Sequence, residues 1–477
     1  MSLQTRAALL LGATLLLAPP AFAQQSDGKL HPTSTVEPAK TAMRSALFES
    51  QNLRPIHARK LAASAVAADS QLGLARVYQT VIAAGMTPAA REAAIAENFG
   101  VMGRATPAEV LLALYWRESA AGRGPAAVPI LKSAMDLVPN DPEIAYVYFN
   151  TQQGGTTPEQ QATNLRAFLQ QFPTHAAAYN QLAYTLWRTG DKEGALSAVQ
   201  QYAKHAPNHP NAHDSYADIL LLLGRSEEAI PHVQREIELD PDFPGAHAKL
   251  GTIYLTMGKV AEARGFFATA ASKSTTPAER METTYWHAVT QIYGGNARGA
   301  QEDIARVAEI ARTANLPGPL ALAHDRAAVV EAYLGSRTKV AAHLAAGAAA
   351  ATTPGQQATY QTHVAIAQSR VGKAQEARAA LATLKSSENP DADGISSLEA
   401  ILALDAKDYG AAETAIAKLS EADLLTRALR AELMLRTGRK AEGDALRKQV
   451  LASSVKLDGN SPINFFSLVG RMRVEKL

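Results

Sequence analysis

The chain contains no cysteine in 477 residues. A thiol nucleophile, a disulfide framework and a cysteine-based metal site are therefore closed to it. The absence fits an oxidising compartment in which no disulfide is required. Aromatic residues are scarce too, at 6% with three tryptophans, although 47% of the chain is hydrophobic. Much of the apolar content is alanine, which favours helix and close helix–helix approach over bulky core anchors. Charge of one sign is not in surplus either: 47 basic residues stand against 45 acidic ones, for a net charge of +2. Nucleic-acid binding by phosphate neutralisation has no basic excess to draw on.

Catalytic signatures are missing as well. Gly122-Arg123-Gly124 and Gly294-Gly295-Asn296 are turn glycines with no Lys-Ser/Thr after them, so no phosphate loop is formed. There is no G-x-S-x-G elbow and no H-E-x-x-H pair. Carboxylates such as Glu227, Glu228 and Glu376 are scattered along solvent-facing helical positions. His205, His209 and His213, with Asp214 beside the last, have the spacing of four that suits zinc on one helix. Pro207 and Pro210 interrupt that helix, so the three histidines fall across a turn and are expected to be structural. A site assembled in the less regular C-terminal half would draw on residues such as His324, Asp325 and His343. The expectation is a chain that is not an enzyme and takes no metal or cofactor.

No hydrophobic run reaches the roughly 20 residues that span a bilayer. The run Ala7–Leu17 follows Arg6 and precedes Pro19-Pro20 and the small-residue site Ala21-Phe22-Ala23. This pattern predicts a secretory signal peptide over 1–23, cleaved near Ala23, and a periplasmic or secreted product. Lipoprotein anchoring needs a cysteine after the leader, and none is there. Residues 24–40 are mostly polar or turn-forming and are expected to be flexible.

What the sequence does have is a clock. Pro139, Pro173, Pro207 and Pro241 stand 34 residues apart, as do Gly190, Gly224 and Gly258, and Ala195, Ala229 and Ala263. A fixed period of this length marks an array of helical hairpins, each too small to bury its apolar face alone. In one unit Tyr179, Leu182, Ala183 and Leu186 line one helix face, Gly190 ends that helix, and Ala195, Val199 and Tyr202 line the next before Pro207 stops it. His213, Ala217, Leu220, Ala229 and Val233 repeat the pattern, and so do His247, Leu250, Gly251, Tyr254, Ala263 and Phe267.

These units resemble tetratricopeptide repeats, a likeness carried most closely by Leu250-Gly251, Tyr254, Gly258, Ala263, Phe267 and Ala270. The resemblance implies an all-α, right-handed superhelical solenoid of antiparallel hairpins. Degenerate hairpins are expected over 41–107, in-phase units over 108–277, and degenerate hairpins again over 278–385. A polar loop over 386–394 is expected to break the array, followed by hairpins and a capping helix over 395–477. Beyond residue 280 the markers Gly295, Gly335, Gly372, Tyr409 and Gly438 are spaced 40, 37, 37 and 29 apart, so the phase slips. Thr275-Thr276-Pro277 and Thr352-Thr353-Pro354 are helix-start signals.

The resemblance further implies that the first helices line a concave groove. Its candidate ligand-facing residues are Tyr146, Asn150, Asn180, Tyr184, Trp187, Arg188, Asn211, Asp214, Asp218 and Lys249. Flat side chains with hydrogen-bonding ends suit peptide backbone or sugar rings. The carboxylate clamp of one subset of the family is not supported, because Asn180 stands where its first lysine belongs and Asp214 and Asp218 bring the wrong sign. The implied role is a scaffold of the bacterial envelope that binds a protein or peptide; a glycan-associated part of an exopolysaccharide or cell-wall machine is the alternative. Partner identity and oligomeric state are not legible.

Overall fold

The computed structural model describes residues 27–421, 423–452, 465–475 and 477. The expected signal peptide and its cleavage site lie outside the described residues, and so does Ser461-Pro462, the dipeptide at which the sequence pattern would open the capping helix. Among those that are described, every regular element is helical. Two compact units divide at Ile219 and Leu220. The expected break at 386–394 is a loop inside the second unit, and it is shorter than expected. Asp391 accepts a hydrogen bond from the Gly394 amide and starts the next helix at Ala392.

The first unit stacks helical hairpins, among them Pro107–Ala120 with Gly124–Leu137, Pro142–Thr151 with Pro158–Gln171, and Ala176–Thr189 with Lys192–His205. Gly190 turns its hairpin with φ of 85°, a left-handed conformation that suits a residue without Cβ. Small residues let the paired helices touch. Ala183 and Ala195 are both fully buried, and in the second unit a Cβ on Gly251 would lie 3.0 Å from the Phe267 ring. A larger side chain there costs about 1–3 kcal/mol through overpacking.

A second repeat device is polar. Tyr179 donates its hydroxyl hydrogen bond to the carbonyl of Pro173 at 3.1 Å. At the equivalent position His213 bonds the Pro207 carbonyl at 2.9 Å, and His247 bonds the Pro241 carbonyl at 3.2 Å. Each ring ties the start of a hairpin to the proline that closed the previous one. The residue type at this position is a hydrogen-bonding ring for that reason, and packing alone does not account for it.

Residues 27–36 are not loose, contrary to the flexible segment expected over 24–40. Leu30 is buried, and its amide donates to Asp141 at 3.0 Å, while Arg44 reaches the same carboxylate at 2.9 Å. The Thr33 amide donates to the buried Glu109 at 2.8 Å. The helix then begins at Glu37, four residues ahead of the expected Thr41.

In the second unit both helix-start signals are realised: Thr276 accepts from the Glu279 amide and Thr353 from the Gln356 amide, each with the reciprocal bond of a capping box. The phase slip has a simple cause. Pro277–Tyr293, Ala297–Thr313 and Pro317–Leu334 run 17, 17 and 18 residues, against 14 for each helix of the Ala176–His205 hairpin. Three of the turns also depart from the glycine marker. Asn315 and Lys407 take positive φ without being glycine, and Gly335, an expected turn marker, has φ of −126°. A Cβ at Gly335 would meet the side-chain ends of Gln301 and Glu331, which would have to turn aside.

Helix Pro317–Leu334 buries Asp325 at 1% exposure, with one carboxyl oxygen unpartnered. Burial pushes this carboxyl up to about 7, and Arg326 offsets only part of it. Burial drives His363 the other way, down to about 4. An acid whose native pKa lies above its unfolded value of about 3.9 binds its proton more tightly when folded, so stability falls as pH rises from about 4 to 7. His363, held below its unfolded value of about 6.5, costs stability as pH falls from there to about 4. Asp325→Asn is therefore expected to raise the free energy of unfolding by about 1–2 kcal/mol more at pH 8 than at pH 5. Urea titrations at the two pH values check this, and an equal gain at both would show that the carboxyl does not titrate in the fold.

Candidate functional site

Three successive first helices of the first unit, Pro107–Ala120, Pro142–Thr151 and Ala176–Thr189, face one open cleft of about 660 Å³. The last contributes Ala177, Asn180, Gln181, Tyr184, Thr185 and Arg188, a stripe at i+3 and i+4 spacing that puts them all on one helix face. Tyr146, Val147, Asn150 and Thr151 come from the middle helix and Tyr115 from the first. Gln51 and Leu53 close the rim from the end of the Glu37–Gln51 helix and the turn after it.

Tyr146 is nearly buried in an aromatic group with Phe149, Phe168 and His175. Its hydroxyl donates to the Gln181 side chain at 2.7 Å. Burial pushes that hydroxyl up to about 12, so it keeps its proton and acts as a donor. The Tyr184 hydroxyl donates to Asp218 at 3.1 Å. Arg188 is exposed and reaches Gln161 at 2.9 Å and Thr185 at 3.3 Å. Asn180 differs from all of these. It is 5% exposed, and its carboxamide oxygen is buried with no hydrogen-bond partner. Such an orphan costs about 1–3 kcal/mol.

The lining carries amides, hydroxyls, one guanidinium and apolar rings, and neither a carboxylate nor a histidine. It is equipped to hold a ligand by hydrogen bonds and contact area. No pair of groups in it is arranged to move a proton.

Five of the ten residues expected to face a ligand meet in this cleft: Tyr146, Asn150, Asn180, Tyr184 and Arg188. The other five do not line it. Trp187 is turned by about 100° from Arg188 around the helix, and its ring packs 5.6 Å from the Lys192 ammonium at the hairpin turn. Asn211 donates to the buried Tyr202 hydroxyl at 3.0 Å, and Asp214 acts on the same group. Asp218 is engaged by Tyr184 from outside the lining. Lys249 belongs to the second unit. Leu53, at 66% exposure and φ of 64°, and Gln51 had no periodic signal, because they reach the cleft from a hairpin more than 60 residues upstream of its other lining residues. Gln181 and Thr185 were legible, since both lie one helical turn from expected positions.

The three turn histidines do not converge. His205 stacks on Tyr179 at 5.4 Å, His209 is buried against Phe48 and lies 3.4 Å from Glu49, and His213 bonds Pro207. Among the described residues no group of three His, Asp or Glu side chains is placed to hold a metal ion. His324 and His343 pair with each other at 3.4 Å, and burial lowers the pKa of both.

Residues 162–213, 180–244 and 216–277 match the tetratricopeptide repeat family, so this part of the chain carries such repeats. No curated protein matches the chain. Part of the chain is similar to the solved structure of YrrB, described as a TPR protein with an unusual peptide-binding site, at 18% identity over 38% of this chain and 91% of that one, with a TM-score of 0.32. PilW, described as a type IV pilus biogenesis factor, is similar at 19% identity over 45% and 95%, with a TM-score of 0.36. TTC0263, described as a thermophilic TPR protein of Thermus thermophilus, is similar at 24% identity over 38% and 98%, with a TM-score of 0.31.

An orphaned carboxamide kept for a ligand should be a burden on the empty protein. Asn180→Leu, close in volume and without polar atoms, is expected to stabilise the ligand-free chain by about 1 kcal/mol. Denaturant unfolding measures this. A loss of similar size would mean that Asn180 is satisfied within the fold.

Proposed function

We propose that the chain is a non-enzymatic tetratricopeptide-repeat scaffold of the bacterial cell envelope that holds an extended segment of a partner protein in the first-unit cleft. The observation that carries this reading is Asn180, a buried carboxamide with an unpartnered oxygen in an open cleft flanked by Tyr146 and Tyr184. A polypeptide backbone supplies an N–H and a C=O at every residue, which is what an amide and hydroxyl lining can pair with. Arg188 at the open edge suits a carbonyl or an acidic side chain of the same segment. Three tyrosines provide rigid contact area at low entropic cost. The leader pattern ending at Ala23 supports export to the periplasm or beyond.

A glycan ligand would call on flat rings in the groove, of which Trp187 is the largest among the candidate residues. With Trp187 packed on Lys192 outside the lining, that platform loses its largest ring. Sugar recognition would fall to three tyrosines, of which Tyr146 is almost fully enclosed.

Site-specific photocrosslinking in intact cells tests the proposal. A benzophenone side chain at Asn150 or Leu53 is expected to trap a polypeptide in the periplasmic fraction. A control at Lys373 in the second unit should trap none. Asn180→Ala and Tyr184→Ala are each expected to cut the yield about tenfold or more, as for a truncated anchor worth about 2 kcal/mol. Adducts with polysaccharide, or protein adducts indifferent to both substitutions, would overturn it.

A further inference from the structure

The C-terminal helix, Phe465–Glu475, buries two arginines in the second unit. Arg473 is 1% exposed. Its guanidinium donates to Glu432 at 2.7 Å, to Asp405 at 3.0 Å and to the Tyr333 hydroxyl at 2.9 Å. Arg471 donates to the carbonyls of Tyr293 at 3.1 Å and Leu451 at 2.9 Å, and lies over the Tyr293 ring at 4.2 Å. Leu468, Val469, Met472 and Val474 are each at 1% exposure or less. Gly470 sits so close to the Leu424–Arg436 helix that a Cβ would come within 3.1 Å of both Leu425 and Ala428.

Tyr293, Tyr333, Asp405 and Glu432 come from Pro277–Tyr293, Pro317–Leu334, Ala392–Asp405 and Leu424–Arg436. Each is the first helix of its hairpin. The C-terminal helix therefore does more than cap the last hairpin, as the sequence suggested; it lies in the slot that four first helices form. The slot is specific in its chemistry. Two enclosed carboxylates from different helices converge on one point and need a cation with a planar, multidentate donor set. Arg370 and Arg436 approach the same carboxylates only at 3.7 Å and 3.9 Å. Three residues before the arginine, a Cβ on Gly470 would press on Leu425 and Ala428, so a larger residue there makes the Leu424–Arg436 helix give by a few tenths of an ångström.

We propose that this slot is a helix-recognition site whose ligand is a short amphipathic helix with a Gly-x-x-Arg face, and that Gly470 and Arg473 of the C-terminal helix fill it in cis, exchangeably with a partner helix of that kind. The inference rests on the reading of the repeat groove as a surface for polypeptide. It concerns the second unit alone, so its failure leaves the Asn180 cleft untouched.

The test uses the full-length chain and a fluorescein-labelled synthetic peptide of residues 465–477. Wild-type protein, its slot filled, is expected to bind the peptide weakly. Full-length Arg473→Ala, whose own helix has lost its anchor, is expected to bind at least tenfold tighter by fluorescence anisotropy. A peptide carrying the same substitution should bind neither, and Glu432→Gln added to the receptor should remove the gain. Should Arg473→Ala not fold cooperatively, Gly470→Leu displaces the helix while leaving both carboxylates in place. Hydrogen exchange on the wild-type chain gives a second reading. Residues 465–475 are expected to open more readily than the Leu424–Arg436 helix. A folded variant that ignores the peptide, or exchange of the two helices only together, would make the C-terminal helix a fixed part of the core and end the proposal.

Discussion

Close approach of two helices within each hairpin is the constraint on which the rest of the structure depends. A pair of 14-residue helices has too little apolar surface to stand alone, so it survives only by meeting its own partner tightly and presenting a flat flank to the next pair. Ala183 with Ala195 in the first unit, and Gly251 with Ala263 in the second, are the buried positions that permit this approach. The alanine-rich, aromatic-poor composition follows from the same demand. Bulky residues are kept for the seams, where Tyr202 and Phe267 rank among the largest side chains fully removed from solvent. Stability in such an array is a sum of local terms, which leaves the first helices free to vary on the face that no neighbour covers.

That division explains what could be read from the residues and what could not. The hairpins of 176–273 were legible because Gly190, Gly224 and Gly258 all take positive φ, and Pro207 and Pro241 close their units on schedule. The groove face was half legible. Asn180, Tyr184 and Arg188 follow from helical spacing, whereas Trp187 was placed with them although it lies a quarter-turn away and is held by Lys192. Long-range partners left no local trace. Nothing near Leu30 announces Asp141, 111 residues on, and nothing near Arg473 announces Asp405 or Glu432. The turn at Lys407 was equally hidden, since a lysine in the left-handed region carries no composition signal.

Buried charge marks the places where each unit departs from repetition. In the first, Asp141 and Glu109 bind the backbone of 27–36, a segment with no hairpin of its own. In the second, Asp405 and Glu432 bind the side chain of Arg473. An enclosed carboxylate is costly unless it is fully paired, and removing its partner strands it. Such groups therefore fix one segment in one register, a task that interchangeable apolar contacts along a repeat perform poorly. Asp325, with an oxygen left unpaired, does not follow this pattern; its proton takes the place of a partner.

The cleft itself is a product of degeneracy. Pro142–Thr151 has 10 residues, whereas Pro107–Ala120 before it and Ala176–Thr189 after it have 14 each. Four missing residues shorten the middle helix by about 6 Å. The in-phase partner of Thr151 is Thr185, and only the longer helix continues beyond that point, to Thr189. Asn150 and Thr151 thus form a step at the end of the short helix. The flank of Ala176–Thr189 beyond the step stays uncovered, with Arg188 braced by Gln161 at its far edge. A perfect repeat would have filled the space beside residues 186–189 with another helical turn. The unit that fits the 34-residue pattern less well than its three successors is the one whose shortfall makes room for a ligand.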